Sequence, residues 1–284
     1  MALVTTVDML TKAQTGRYAV GAFNAENLEM VQAIVSAAEE KHSPVIVQFT
    51  PGSLSYASPG IYYAIVASVS QTAAVPVAIH LDHGDSFDAA VHALYAGYTS
   101  IMIDGSKESF EDNVALSRSV VRVCGACGIP VEAELGKVGG KEDNTVNNSV
   151  GAGYTDPEEA SLFVQQTGVS SLAIGIGTAH GVYKEKPNIK TELAAQVRAK
   201  VSVPLVMHGT SGVPDDVVKA CVENGICKVN YATELRIAYT KASAQYLSAH
   251  PDTIDPKKFG AAARDAVRAA VSAKIDVCGS ANRA

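Results

Sequence analysis

The chain has 284 residues, enough to bury one large core, either as a single α/β barrel or as two modest domains. Its 23 lysines and arginines against 29 aspartates and glutamates give a formal charge of −6, a balance that argues against a broad polyanion-binding face. With 23 glycines and no tryptophan, the sequence suits short turns and small-residue packing, not a stacking platform for nucleic acid. A local pocket for an anionic metabolite stays open, because backbone amides bind phosphate without net positive charge.

Five cysteines, an odd number without disulfide-rich spacing, point to reduced thiols and a cytoplasmic setting. Cys124 and Cys127 form a C-x-x-C with no second pair, which reads as a helix end rather than a metal or redox site. The opening MALVTTVDML has no basic segment and carries Asp8 early, so no signal peptide is expected. No apolar run reaches membrane-spanning length.

In chain order, 4–16 reads as a leading helix and 18–23, YAVGAF, as a first strand closed by Asn24. Residues 26–41 carry Leu28, Val31, Ile34, Val35 and Ala38 at helical spacing, one buried stripe. PVIVQF at 44–49 is a second strand, ended by a Thr50-Pro51-Gly52 loop. Helix 61–71, strand 76–80 and helix 86–96 follow, with Ser86 as cap. Strand 98–103 ends at Asp104, helix 110–127 is long, and strand 129–134 ends at Glu134. The polar stretch 139–153 predicts a mobile loop. Helix 157–167, strand 171–175, helix 191–200 and strand 204–208 lead to helix 214–224 and strand 227–230. Two helices, 232–248 and 256–275, complete the chain.

Eight short apolar strands, each followed by a helix, predict a TIM (β/α)8 barrel with extra C-terminal helices, one domain over 1–284. Chemistry in such barrels sits at the C-terminal strand ends, which here offer Asn24, Thr50, Asp82, His83, Asp104, Glu134, His180, His208 and Asn230. HLDH at 80–83 read alone is as well explained by a polar strand cap around a core histidine. Three histidines from three strand ends, His83, His180 and His208, favour a metal site, and neutral imidazoles suit zinc with one open position. His80 reads as support. GIGTAHG at 175–181, HGTSG at 208–212 and NYATE at 230–234 can cradle a phosphate, and two of them adjoin a proposed ligand.

Taken together, AFN at 22–24, HLDHGDS at 80–86, MIDGS at 102–106 and VEAELGKVGGKED at 131–143 resemble class II, metal-dependent ketose-bisphosphate aldolases. GTAHGVY at 177–183, HGTSG at 208–212, KVNYATEL at 228–235 and VCGSANR at 277–283 extend that resemblance over nearly the whole chain. It implies reversible cleavage of a ketohexose 1,6-bisphosphate to dihydroxyacetone phosphate and glyceraldehyde 3-phosphate, tagatose slightly favoured over fructose. It makes His83, His180 and His208 the ligands of a catalytic Zn2+, with Asp104 and Glu134 at a second divalent-metal position. Asp82 would be the proton donor to the aldehyde-derived oxygen in cleavage and its acceptor in condensation. Glu142 would exchange a proton at C3 of dihydroxyacetone phosphate. Gly181, Gly209, Thr210, Ser211, Asn230, Tyr231, Ala232 and Thr233 would hold that compound's phosphate beside a monovalent cation, Na+ or K+. Asn24 and Thr50 would add pocket hydrogen bonds.

Two positions depart from the pattern. Tyr231 stands where a smaller aliphatic residue is expected, and Lys257, in DPKKF, stands where a partner subunit's arginine can bind the distal phosphate; Lys257 is kept as a substrate-binding candidate that can neutralise that charge without the bidentate fork. The resemblance implies a homodimer or homotetramer acting on small phosphorylated sugars, with no nucleic-acid or membrane partner. The sequon at 147–149 is idle in a cytosolic protein. An isomerase or hydrolase of a sugar phosphate on the same barrel is the runner-up, and a non-catalytic binding protein the third reading.

Overall fold

A computed structural model describes residues 3–142, 145–147, 153–181, 183 and 187–284, the side chains of 140–142 and 145–147 excepted. The chain begins with α1 (Thr6–Gly16), β1 (Val20–Asn24), α2 (Leu28–Glu40), β2 (Val45–Phe49), α3 (Pro51–Tyr56), α4 (Pro59–Ser70) and β3 (Val77–Gly84). Next come α5 (Phe87–Ala96), β4 (Ser100–Ile103), α6 (Phe110–Ala126), β5 (Val131–Leu135), β6 (Gly139–Glu142), β7 (Thr145–Asn147) and α7 (Pro157–Thr167). It ends with β8 (Ser171–Ile174), β9 (Ala179–His180), α8 (Thr191–Arg198), β10 (Leu205–Met207), α9 (Asp215–Glu223), β11 (Ile226–Tyr231), α10 (Thr233–Ala249) and α11 (Pro256–Cys278).

Eight strands close into a barrel in the order β1-β2-β3-β4-β5-β8-β10-β11, with β11 pairing back to β1. All of these pairings are parallel, so each connection crosses over and helices cover the outside. The expected α/β barrel with added C-terminal helices is present. Side-chain caps start several helices where the sequence supplies them. Asn27 accepts from Met30 N–H, Ser86 from Ala89 N–H, Ser109 from Asp112 N–H and Asp156 from Glu158 and Glu159 N–H.

Three local expectations change. Thr50-Pro51-Gly52 is not a loop, because Thr50 caps the short helix α3 and Pro51 sits in its first turn. Leu28 is not in the buried stripe of α2; as its first residue it stands 44% exposed, and Met30 joins Val31, Ile34 and Val35 instead. The polar stretch after β5 contains strands: β6 pairs antiparallel with β7 and parallel with β9. Asn148 and Ser149 of the sequon lie outside the described residues.

The barrel wall is buried on both sides. Val47, Phe49, Ile79, Leu81, Ile101 and Ile103 join the helix-facing core. A second cluster packs Met9, Leu10 and Ala13 of α1 against Val20, Ala22, Ile46 and Ala78, so α1 closes one end of the barrel with apolar side chains. All five cysteines are free, and burial pushes the Cys124 thiol up to about 11. Among the described residues no helix is long and apolar enough to cross a membrane.

Beyond that plug the interior turns polar. The Lys228 ammonium, fully buried, donates to both Glu132 oxygens at 2.9 and 3.1 Å and lies 3.4 Å from His80 Nε2. His80 Nδ1 meets Ser100 Oγ at 2.8 Å, and Thr6 of α1 donates to the same oxygen at 3.1 Å. Burial first, and the Lys228 charge next, hold His80 neutral, well below the ordinary histidine value. Burial opposes the charge on Glu132, but the Lys228 ammonium and a hydrogen bond from His208 outweigh it and keep the carboxyl well below the usual range.

Replacing Glu132 by Gln leaves the Lys228 charge buried without a counter-ion, a loss of roughly 3–5 kcal/mol. The double variant E132Q/K228M recovers most of it. Urea unfolding of the metal-free protein measures both, and an E132Q loss below about 1 kcal/mol contradicts the pairing. Because folding lowers the Glu132 pKa, its contribution is complete above the unfolded value of about 4.3 and fades as pH falls further. E132Q therefore flattens the acid limb of the stability profile.

Candidate metal and substrate site

Strand alternation places His80 and Asp82 inside the barrel and would leave His83 with Leu81, facing the helices. The structure overrides this at the end of β3. Pairing with β4 shifts register between Leu81 and Gly84, and His83 has a left-handed backbone, φ 50°. Such a conformation costs a non-glycine residue about 1–2 kcal/mol. Gly84 has no room for a side chain, since a Cβ there would stand 2.5 Å from the Met102 carbonyl oxygen. The bulge turns the His83 ring toward His180 and His208, with ring centroids at 4.9 and 4.6 Å.

Ligand atoms of His83, His180 and His208 all lie within 4.8 Å of one another, as do those of His83, Asp104 and Glu134. Their orientation follows from the carboxylates behind them. His83 Nδ1 is 2.8 Å from Asp104 Oδ2, and His208 Nε2 is 2.9 Å from Glu132 Oε1. Each carboxylate accepts an imidazole N–H, which leaves His83 Nε2 and His208 Nδ1 with lone pairs directed at each other across 3.0 Å. Two lone pairs at that distance repel unless a cation lies between or beside them. A proton is one solution: burial and the His83 charge oppose it, but Glu132 and Glu134 raise the His208 pKa. A divalent metal is the other. Glu134 Oε2, buried and with no hydrogen-bond partner among the described residues, lies 3.3 Å from His208 Nδ1 and faces the same point. These donors fit a divalent ion held by neutral imidazoles, with carboxylates beside it. Burial works against charge on Asp104, yet the His83 hydrogen bond and charge, then Ser106, hold its carboxyl well below the usual range.

Asp82 is buried beside this cluster. Asn24 Nδ2 donates to its Oδ2 at 2.9 Å, Gln48 Nε2 to the same oxygen at 3.2 Å, and Asn230 Nδ2 to Oδ1 at 3.0 Å. Gln48 also donates to Asn24 Oδ1 at 2.8 Å, so the cage is cross-linked.

A narrow cleft adjoins these groups, lined by Asn24, His180, Gly181, Gly209, Thr210, Ser211, Asn230, Ala232 and Thr233. Gly209 has φ 62°, and a Cβ on it would stand 2.7 Å from the Ala179 backbone, so only glycine fits between the two turns. The N-terminus of α10 opens here with Ala232 as its N-cap and no side-chain cap. Ser211 Oγ accepts from Ala232 N–H at 3.3 Å. An uncapped 17-residue helix aimed into a glycine-lined cleft suits an anion.

The structure thus brings the three histidines, Asp82, Asp104, Glu134, Asn24, Asn230 and most of the expected cradle into one region. Thr50, Tyr231 and Lys257 are not among the lining residues. Thr50 caps α3. Tyr231 is turned into the wall, where it stacks on Phe23 at 5.5 Å and meets Cys278 Sγ at 3.6 Å. Lys257 is 86% exposed and pairs with Asp255 at 2.9 Å. Glu142 ends β6, one residue beyond Lys141 and two beyond Gly140, which pairs with His180; its side chain lies outside the described residues. Sequence reasoning assigned no role to Gln48, Glu132 or Lys228. Each is a polar residue inside an apolar run, two positions before a residue of the strand end, and thus on the same face of the strand.

Residues 4–283 match the family described as fructose-bisphosphate aldolase class-II. The YdjI aldolase from Escherichia coli K12 is 36% identical, with 99% of each chain covered and a TM-score of 0.87. A candidate fructose-1,6-bisphosphate aldolase from Coccidioides immitis is 31% identical over 97% of this chain and 96% of its own, with a TM-score of 0.88. Fructose-bisphosphate aldolase from Campylobacter jejuni, 23% identical over 100% and 97%, shares the fold with a TM-score of 0.84. The chain belongs to the class II fructose-bisphosphate aldolase family.

Proposed function

We propose that this protein is a zinc-dependent aldolase that reversibly cleaves a ketohexose 1,6-bisphosphate into dihydroxyacetone phosphate and glyceraldehyde 3-phosphate. The observation that carries the proposal is the convergence of His83, His180 and His208 beside an anion-suited cleft. A zinc ion held by His83, His180 and His208 would supply Lewis-acid stabilisation for negative charge developing beside the ketone. Phosphate on the C1 side binds the glycine turns and the α10 N-terminus. A Na+ or K+ ion beside it, and a second divalent ion near Asp104 and Glu134, belong to the same proposal.

Proton balance sets the direction of the Asp82 step, opposite to the one drawn from sequence. Cleavage breaks C3–C4, leaves the electron pair on C3 and turns the C4 hydroxyl into an aldehyde, which releases a proton. Asp82 therefore accepts that proton in cleavage and returns it in condensation. Both its oxygens already serve as acceptors of amide N–H groups, the state a base requires. Glu142, on the strand paired to His180, is assigned delivery of a proton to C3.

Fructose and tagatose bisphosphates differ at C4, and the tagatose ester remains the slightly preferred substrate. A homodimer or homotetramer in the cytoplasm completes the proposal. In support, α10 buries only Leu235 and leaves Ile237 and Leu247 exposed.

Chelation should abolish cleavage and added zinc restore it, while borohydride with substrate should trap no protein adduct. Full activity at negligible metal content refutes the proposal. Asp82→Asn should lower kcat by about 10²–10⁴-fold with metal content unchanged. A coupled assay gives kcat/KM for both bisphosphates, and tagatose should lead.

A further inference from the structure

Two of the three converging histidines sit on turns rather than on the barrel wall. His180 ends the two-residue β9, and His208 follows β10. Their spacing depends on what joins those turns. Tyr183, three residues beyond His180, supplies a direct link. Its hydroxyl accepts a hydrogen bond from Ala179 N–H at 2.7 Å and donates one to the Gly209 carbonyl at 2.8 Å. Ala179 immediately precedes His180 and Gly209 immediately follows His208. One oxygen thus ties together the backbone flanking both rings, using one lone pair and its only proton.

The surroundings leave this link little slack. A Cβ on Gly209 would stand 2.7 Å from the Ala179 backbone, and one on Gly212 would stand 3.3 Å from the Tyr183 ring. On its other side β9 is held by β6, with Gly139 paired to Ala179 and Gly140 to His180. His180 is therefore gripped from both edges, by a strand and by a phenol. Gly181 and Gly209, which line the cleft, belong to the same two turns.

We infer that Tyr183 is a positioning residue, whose hydroxyl clamps the His180 turn to the His208 turn and sets both the spacing of the metal ligands and the shape of the anion cleft. The inference rests on the metal-dependent reading above. It assigns a coupling function to a side chain outside both the candidate ligand sets and the residues lining the cleft.

Tyr183→Phe removes one oxygen and keeps the ring. Titration of the metal-free protein with zinc against a competing chelator should show an affinity about 10–100-fold weaker than wild type. In a His180→Ala background, where the spacing of the two rings no longer matters, the same substitution should change residual zinc affinity by less than about threefold. The kinetic counterpart is a fall in kcat together with weaker inhibition by inorganic phosphate. A role confined to packing would lower Tm while leaving zinc affinity unchanged, and that result overturns the inference. Equal effects of Tyr183→Phe with and without His180 also overturn it. If wild-type protein binds no zinc, the metal-dependent reading falls and takes this inference with it. If wild type binds zinc and cleaves the bisphosphate while Tyr183→Phe matches it in affinity, only the clamp is refuted.

Discussion

Two imidazole nitrogens face each other across 3.0 Å, each ring held from behind by a carboxylate. That constraint organises the site. Asp104 and Glu132 fix which nitrogen of His83 and of His208 carries hydrogen, so the remaining lone pairs converge and call for a cation. Glu132 can do this only because Lys228 balances its charge inside the barrel. Lys228 in turn is tolerated only beside Glu132 and a neutral His80. Removing any member leaves another with an unmet electrostatic demand in a region where water cannot compensate.

A parallel barrel is well suited to hold such a chain of dependencies. Its outer surface packs against helices through Val47, Ile79, Leu81 and Ile101, while one end of its interior is plugged by Met9 and Leu10. Both sides of the wall are buried, and the hydrogen-bonded polar layer inside it underlies the strand ends above. Rigidity matters because a ligand set displaced by about 1 Å loses much of its function. Where the histidines leave the wall, local devices replace it: a bulge at His83, strand pairing with β6 at His180, and the Tyr183 hydroxyl between His180 and His208.

Much of this was legible from residue order. Apolar runs ending at His83, His208 and Asn230, separated by helix-length stripes, lead directly to eight parallel strands and to one rim of polar side chains. What escaped has physical reasons. His83 was placed on the rim correctly by its strand end, but the device that turns it inward was not visible, because a one-residue bulge and a positive φ are set by tertiary pairing with β4. Thr50 and Tyr231 sit at the expected strand ends, but being at an end does not decide direction; Thr50 is taken by a helix cap and Tyr231 by the aromatic wall. Gln48, Glu132 and Lys228 were readable in principle. A charged or amide side chain inside VIVQF, VEAE or CKVN has no outlet through a helix-covered face, so it must point inward and find a partner there.

In the proposed reaction the substrates differ at C4, and the proton leaving the C4 hydroxyl goes to Asp82. Discrimination must then come from whatever fixes Asp82 and surrounds that hydroxyl. Three amides from β1, β2 and β11 hold the carboxylate, and two of their own oxygens, Gln48 Oε1 and Asn230 Oδ1, are buried with no hydrogen-bond partner among the described residues. An unmet buried acceptor costs about 1–3 kcal/mol, which a hydroxyl donor on the correct side of the sugar chain would recover. Of the two, Asn230 lines the cleft, so on the proposed reaction a C4 configuration that presented its hydroxyl to Asp82 and a neighbouring one to Asn230 Oδ1 would be favoured. A recovered bond of this size corresponds to roughly 5–150-fold in kcat/KM. On the proposed reaction, the amide cage around Asp82 would then be the part of the site able to tell the two sugars apart.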